Sequence, residues 1–136
     1  MVNEVLSGIK EYILGGKAQF TIFQEPNIQV KYSVKSNESG NVYYVSTETV
    51  DSKEIQYQGY FSKKPPYVFK IGKKGIQNYN KRAIDALFWV LNHADNLPKK
   101  VHVLHNGRCS VCGRKLTDAE SLMCGVGPTC RKGVGV

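Results

Sequence analysis

Apolar and polar residues alternate over several segments between residues 18 and 71. Residues 28–35 are the clearest example, because every second side chain from Ile28 to Val34 is apolar and the side chains between them are polar. A period of two predicts a strand with one buried and one solvent-exposed face. Further strands are predicted at residues 18–22, 42–49, 54–61 and 67–71. Turn and proline-rich residues separate these segments, so we expect four or five antiparallel strands.

Two other segments have apolar residues at helical spacing. Residues 5–13 predict a short N-terminal helix, which a pair of glycines ends. A longer helix is predicted from a cap at 78–80 to Ala94, and its apolar stripe is wide enough to pack on two sides. Trp89 on that helix is assigned to the core. Residues 99–104 are a candidate for a final strand.

The order of these elements predicts an α+β fold. The antiparallel sheet would be flanked by the N-terminal helix and the second helix. A sheet of five short strands can also close into an oligonucleotide-binding barrel, but two helices favour the open arrangement. We expect residues 1–100 to form this α+β domain and residues 101–136 to form a C-terminal module that packs on it.

Charge is distributed unevenly along the 136 residues, whose formal net charge is +8. Residues 1–61 contain five lysines and seven acidic residues, whereas residues 62–136 contain fourteen basic and four acidic residues. No apolar run approaches the ~18 residues that a membrane span needs, and the N-terminus lacks the pattern of a signal peptide. We therefore expect a soluble cytoplasmic protein, without a membrane partner, whose second half meets a negatively charged partner.

Pairs of basic residues alternate with aromatic residues in that second half. This combination suits a nucleic-acid surface, because cations neutralise phosphates and aromatic rings stack on unpaired bases. A solvated surface with ordinary strand tyrosines is the alternative. The candidate contacts are Lys63, Lys64, Lys73, Lys74, Lys81, Arg82, Arg108, Arg114, Lys115, Arg131 and Lys132. Single-stranded DNA or RNA is favoured as the partner, because no recognition helix with a base-contacting face is evident.

All four cysteines lie between Cys109 and Cys130. The turn Cys109-Ser-Val-Cys112-Gly113 is typical of a zinc knuckle, since a glycine with positive φ lets backbone N–H groups face the sulfurs. Cys130 follows Pro128 at a predicted helix start, where the helix dipole favours a thiolate. Disulfides and a redox-active pair are the alternatives. We predict a treble-clef-like structural site for Zn²⁺, because soft thiolates select zinc.

Two runs near the C-terminus together form one dense motif. They are His105-Asn-Gly-Arg-Cys109-Ser-Val-Cys112-Gly-Arg-Lys-Leu-Thr117-Asp-Ala-Glu-Ser121 and Gly125-Val-Gly-Pro-Thr-Cys130. Together they resemble the C-terminal signature of a family of uncharacterised phage and prophage proteins. The resemblance implies a phage-type origin, the cytoplasm of a bacterial host and a metal site, but it implies no reaction.

The resemblance leaves the fourth zinc ligand open. The family has cysteine at the positions that match Cys109, Cys112 and Cys130, whereas the position of Cys124 varies and that of His105 is usually histidine. Cys124 is the simpler choice, because a free thiol beside a zinc site would be a liability. His105 lies close enough to Cys109 in sequence to reach the ion, and would leave Cys124 as a small buried hydrophobe.

The sequence shows no catalytic constellation. A catalytic zinc needs an open position and a nearby base, and neither a Ser/His/Asp arrangement nor a phosphate-binding glycine loop is evident. We therefore expect a binding protein and not an enzyme. One hypothesis is a nucleic-acid-binding module in which a curved sheet and the basic zinc loop share one surface. The other is a phage effector that inhibits an acidic host protein, such as a polymerase or a defence nuclease.

Overall fold

The computed structural model describes residues 3–49, 54–73 and 79–134. Within these ranges the chain forms seven strands and four helices. The strands are β1 (Asn3–Glu4), β2 (Lys17–Gln24), β3 (Ile28–Ser36), β4 (Val42–Thr49), β5 (Gln56–Ser62), β6 (Phe69–Ile71) and β7 (Val101–His105). The helices are α1 (Ile9–Ile13), α2 (Lys81–Asn92), α3 (Ala119–Cys124) and α4 (Pro128–Val134). The predicted α+β class is confirmed, but the prediction of four or five strands is too low.

The strands form one antiparallel sheet in the order β1-β7-β2-β3-β4-β5-β6. β1 and β7 account for the difference in strand count, since β1 precedes the segment predicted as the N-terminal helix and β7 was only a candidate. β7 pairs with β2 along its whole length, from Phe20 opposite His105 to Gln24 opposite Val101. The domain boundary predicted at residue 100 thus falls immediately before a strand that lies inside the sheet.

The N-terminal helix is shorter than predicted. Residues 3–4 pair with β7 as β1, and Gly8 adopts a left-handed conformation with a φ of 65° before the helix begins at Ile9. Because that conformation cannot continue a right-handed helix, Val5 and Leu6 precede α1. Val5 is buried, whereas Leu6 is 62% exposed. The apolar spacing that predicted one helix therefore covers α1 and the segment before it.

α2 begins within the region that the sequence predicted. The Asn80 side chain accepts a hydrogen bond from the backbone N–H of Ala83 and caps the first turn. The buried residues of the helix are Ala83, Ile84, Leu87, Val90 and Leu91. The assignment of Trp89 to the core is wrong, because this residue is 41% exposed and its ring stacks on His93 one turn later.

The sheet has an inner face, which packs against α1 and α2, and an outer face. The inner face presents the even-numbered residues of β2 and β3 and the odd-numbered residues of β4, and these join the two helices in one hydrophobic core. The alternate residues, such as Lys17, Lys35 and Tyr44, lie on the outer face and are exposed. The alternation that predicted the strands thus separates a covered from an open side of the sheet.

Buried tyrosines tie the helices to the inner face. The Tyr32 hydroxyl of β3 donates to the Ala83 carbonyl of α2 at 2.7 Å. The Tyr12 hydroxyl of α1 donates to the Gln19 carbonyl of β2 at 2.8 Å. Burial raises the pKa of Tyr12 and Tyr32 well above the ordinary tyrosine value, so both hydroxyls stay protonated donors.

The C-terminal segment adds a second, smaller core. Its buried residues are Cys109, Leu116, Cys124 and Val126. The Asp118 side chain caps α3 by accepting a hydrogen bond from the Ser121 N–H at 3.1 Å.

No helix in the described ranges is long and apolar enough to span a bilayer.

Candidate functional site

Residues 107–116 form a tight hairpin, which we call the knuckle. Cys109 N donates to Arg114 O at 2.8 Å, and Gly113 N donates to Cys109 O at 2.9 Å. Gly113 has a φ of 80°, a conformation that residues with a Cβ rarely adopt. This turn folds Cys112 back towards Cys109, which is the arrangement that the Cys-x-x-Cys-Gly spacing predicted.

The third sulfur comes from α4. Pro128 is the first residue of this helix, and Cys130 lies in its first turn. The Sγ atoms of Cys109, Cys112 and Cys130 all lie within 4.8 Å of one another. Sulfurs grouped in this way from two separate elements can share one ion, since thiolates bind zinc at ~2.3 Å. These residues, the three-cysteine cluster, can therefore hold a metal ion.

Backbone hydrogen bonds favour the thiolate form of Cys109. The N–H groups of Val111 and Gly127 donate to its Sγ at 3.4 and 3.3 Å. Burial raises the pKa of Cys109, but N–H donors from Gly127, Cys112 and Val111 outweigh burial and bring the pKa to about 7. Burial and the neighbouring thiols raise the pKa of Cys130. A thiolate supported by N–H groups is a donor that suits a soft metal ion.

Cys124 lies outside the three-cysteine cluster. Its side chain is buried at the end of α3, where the Sγ contacts Ser121 O at 3.8 Å and Val126 O at 3.4 Å. The Nη1 of Arg131 lies 3.8 Å from the same sulfur. The structure therefore does not bring Cys124 to the other three cysteines, and its side chain fills the small core instead.

His105, the other candidate for the fourth ligand, also has different partners. Its Nδ1 accepts a hydrogen bond from Gly107 N at 3.0 Å, and its Nε2 lies 2.7 Å from Leu122 O. An accepting Nδ1 carries no proton, so the proton is on Nε2 and is donated to the carbonyl. Burial lowers the pKa of His105, which agrees with a neutral ring. Among the described residues, neither candidate joins the cluster.

The knuckle is fixed to the sheet at the start of β2. Lys17 N donates to Ser110 O at 2.6 Å, and Ser110 N donates to Gly125 O at 3.0 Å. Gly15 approaches Ser110 so closely that a Cβ would overlap it. The Lys17 Cδ lies 3.9 Å from the position that a Cβ on Gly113 would take. The knuckle therefore lies directly beside the Lys17 side chain.

The basic residues predicted from the sequence are distributed over several elements. Lys63 and Lys64 lie between β5 and β6, Lys73 follows β6, Lys81 and Arg82 begin α2, and Arg108, Arg114 and Lys115 lie on the knuckle. Lys81 pairs with Asp85 at 2.8 Å. Because α2 packs on the inner face, Lys81 and Arg82 lie on the covered side of the sheet. Lys74 lies outside the described residues, as does the side chain of Lys132.

Two of the predicted arginines support local structure. Arg131 Nη1 donates to Ser121 Oγ at 3.2 Å, and its Nη2 lies 3.5 Å from a carboxylate oxygen of Glu120. Arg108 Nη1 donates to Gly113 O at 3.2 Å within the knuckle. Arg131 thus adds a link between α3 and α4 that the spacing did not predict.

A row of charged and aromatic side chains crosses the outer face. Lys17 is the direct cross-strand partner of Lys35, Lys35 of Tyr44, Tyr44 of Tyr60, and Tyr60 of Lys70. We call these five residues the basic row. The Tyr44 side chain is 43% exposed, and its ring centroid lies 6.5 Å from that of Tyr60. Since direct partners on one face are neighbours, the row runs straight from β2 to β6.

The lysines of the basic row are available to a ligand. In the part of the chain that the structure describes, no ion pair involves Lys17, Lys35 or Lys70, and all three residues are exposed. Lys17 borders the knuckle, where Arg114 and Lys115 are also exposed. Positive charge therefore extends from the knuckle onto the outer face.

Lys70 and Tyr60 belong to the basic and aromatic segment that the sequence predicted as a nucleic-acid surface, but none of the five residues of the basic row was named as a candidate contact. The uneven charge along the chain favoured the second half, whereas a sheet face combines residues that are distant in sequence. The pattern that could have identified part of the row is the exposed side of residues 28–35, where Lys31 and Lys35 alternate with apolar residues. The row itself depends on strand register, which a single strand does not reveal.

The match to known proteins is confined to the C-terminal segment. Residues 100–135 match a family of unknown function, DUF6011. The match covers β7, the knuckle, α3 and all three cluster cysteines, and it agrees with the likeness of this segment to an uncharacterised family. No curated protein and no solved structure matches the chain. The comparisons therefore indicate no activity.

Proposed function

We propose that this protein is a single-stranded nucleic-acid-binding module, and not an enzyme, whose binding surface is the basic row with the adjoining knuckle. The single observation that supports this proposal is the register of the row, in which three exposed lysines flank two neighbouring tyrosines on an open sheet face. Lysines neutralise phosphates, and tyrosine rings stack on unpaired bases. Both kinds of side chain lie along one line on the outer face.

The dimensions of the row favour a single strand over a duplex. Five strands at the usual spacing place Lys17 and Lys70 about 19 Å apart. The major groove of DNA is about 12 Å wide and admits a helix or a two-stranded ribbon, so a face of five strands cannot enter it. A flexible single strand can instead lie across the sheet with its bases unstacked.

We further propose that the three-cysteine cluster holds Zn²⁺ in a structural role. Thiolate sulfur is the ligand type that selects zinc in small structural sites. The ion would join the knuckle to α4 and so keep Arg114 and Lys115 beside Lys17. In this proposal the metal does not contact nucleic acid, and its effect on binding is indirect.

Fluorescence anisotropy with labelled oligothymidylate and oligouridylate of about twelve nucleotides tests the proposal. We expect binding at about 50 mM salt that weakens steeply at about 200 mM salt, and weak competition by unlabelled duplex. The triple variant Lys17→Gln, Lys35→Gln, Lys70→Gln should reduce the slope of log affinity against log salt by about 2, because each neutralised phosphate of a single strand adds ~0.7 to that slope. Tyr44→Leu should weaken binding at least about fivefold, because leucine cannot stack on a base.

The matched control is the triple variant Lys10→Gln, Lys81→Gln, Arg82→Gln. It removes the same number of positive charges from exposed positions on α1 and α2, which cover the inner face. If both triple variants lose the same affinity, net charge and not the basic row determines binding. Absence of binding to every oligonucleotide at low salt overturns the proposal, and the alternative of a phage effector that binds an acidic host protein then becomes the one to test.

A further inference from the structure

A second row of side chains lies beside the basic row on the outer face. Gln19 is the cross-strand partner of Ser33, Ser33 of Ser46, and Ser46 of Tyr57. We call these four residues the polar row. Gln19, Ser33 and Ser46 each lie two positions along the strand from a member of the basic row, and Tyr57 lies three positions from Tyr60. A spacing of two residues along the strands separates the two rows by about 7 Å. Uncharged hydrogen-bonding groups thus run parallel to the cationic and aromatic ones.

A groove of about 520 Å³ opens over the polar row. Its volume is within the range of small-molecule sites, which take up most of a ligand of drug size. Its lining residues include Thr21, Ser33 and Ser46, which carry hydroxyl groups, and the apolar residues Leu104 and Ile55. A lining that combines hydroxyl-bearing and apolar residues suits a flat heterocycle with donors and acceptors on its edge.

The charges around the groove argue against a second phosphate site. Lys31 on its lining lies 3.9 Å from the carboxylate of Glu48, which offsets its charge. Gln19 Oε1 accepts a hydrogen bond from Asn106 Nδ2 at 3.3 Å, and this leaves the Gln19 amide NH₂ to donate to a ligand. Among the described residues that line the groove, Lys35 is the only lysine without an acidic partner. Lys35 also belongs to the basic row.

We infer that this groove holds one unstacked base of the bound strand and recognises its hydrogen-bonding edge through Ser33, Ser46 and Gln19. The inference rests on the proposed function, because the phosphates on the basic row are what place a base over the polar row. Tyr44 lines the groove and also belongs to the basic row, so its ring stacks on the inserted base or on the next one. The protein would then prefer some bases over others.

Affinities for oligothymidylate, oligodeoxyadenylate and oligodeoxycytidylate of equal length test the inference. The wild-type protein should prefer one of them, and the double variant Ser33→Ala, Ser46→Ala should reduce the ratio between the tightest and weakest Kd about fivefold or more. Its salt dependence should equal that of the wild type, because no lysine is changed. Ser7→Ala with Ser36→Ala is the matched control, since neither serine lines the groove.

The second measurement uses nucleoside 5′-monophosphates as probes, with backbone amide shifts followed by NMR. Shifts concentrated at Thr21, Ser33 and Ser46 support the inference, whereas shifts confined to the basic row and the knuckle overturn it. Wild-type binding without base preference, or a preference that the double variant keeps, also overturns it while leaving the proposed function intact. If no oligonucleotide binds at all, the proposed function and the inference both fail.

Discussion

The ring of Tyr12 in α1 packs against Gly125, which ends α3, at the point where any Cβ on Gly125 would overlap the ring. Gly125 also has a φ of 72°, so both its conformation and its contact require glycine. Ser110 of the knuckle donates its N–H to the Gly125 carbonyl at 3.0 Å. Gly125 therefore joins the inner-face core to the segment that carries the three cysteines.

Gly125→Ala should destabilise the protein by about 2–5 kcal/mol, because a left-handed alanine costs ~1–2 kcal/mol and overpacking costs ~1–3 kcal/mol. Urea unfolding followed by circular dichroism measures the loss. The control is Gly40→Ala, since Gly40 has the same φ of 72° and its nearest neighbour is the flexible end of Lys63 at 3.6 Å. Gly40→Ala should lose only the ~1–2 kcal/mol that a left-handed alanine costs. Equal losses of stability in the two variants would contradict the packing argument.

If the three-cysteine cluster holds zinc as proposed, Cys112→Ser should remove the metal and lower the melting temperature, although Cys112 is exposed. Exposed substitutions usually change stability by less than about 0.5 kcal/mol, so a large effect there indicates a missing ligand. Cys124→Ser should keep one zinc per chain, because its sulfur contacts Ser121 and Val126 and not the cluster. Atomic emission on purified protein and melting curves with and without a chelator provide the readout. Retention of zinc by Cys112→Ser would contradict the assignment.

Local patterns predicted the parts of the fold that depend on neighbouring residues. The alternation in residues 28–35 located β3, and the Cys109-x-x-Cys112-Gly spacing located the knuckle turn, because each conformation follows from residues a few positions apart. Asn80 was within the predicted cap region of α2 for the same reason. These features need no knowledge of distant contacts.

Features that depend on distant contacts were missed. Apolar spacing at 5–13 matched a helix, but β1 forms because residues 3–4 meet β7 about a hundred positions later. Trp89 matched a wide apolar stripe, yet the sheet covers only one side of α2, and the ring remains exposed. Spacing also made Cys124 a candidate ligand, whereas the direction of α3 turns its sulfur into the small core. Each error arose from an arrangement in space that a local sequence pattern does not contain.

Arg131→Gln should lower the melting temperature with little effect on oligonucleotide affinity, although the sequence placed Arg131 among the nucleic-acid contacts. Its guanidinium is held by Ser121 Oγ and by Glu120, and removing it leaves the link between α3 and α4 incomplete. Lys35→Gln should have the opposite profile, with an unchanged melting temperature and weaker binding. Thermal melts and anisotropy on both variants distinguish the two roles. The same changes in melting temperature and affinity in both variants would contradict the assignment of a structural role to Arg131 and a binding role to Lys35.

His102 in β7 connects three segments at one edge of the outer face. Its Nδ1 lies 2.7 Å from Glu4 of β1, and its Nε2 lies 2.8 Å from Glu25 after β2. Two ring nitrogens that both face carboxylates must both donate, so the bonded ring is protonated. The hydrogen bonds with Glu25 and Glu4 raise the pKa of His102 above its ordinary value of 6.5.

Because the raised pKa belongs to the folded state, the stabilisation from His102 should be fully present below about pH 6.5 and be lost as the pH rises through the folded-state value. The wild type should therefore exceed His102→Gln in melting temperature by more at about pH 5.5 than at about pH 9. His93→Gln is the control, because His93 has no carboxylate partner among the described residues. A difference between wild type and His102→Gln that stays constant with pH would contradict this, because it would show that folding does not raise the pKa of His102.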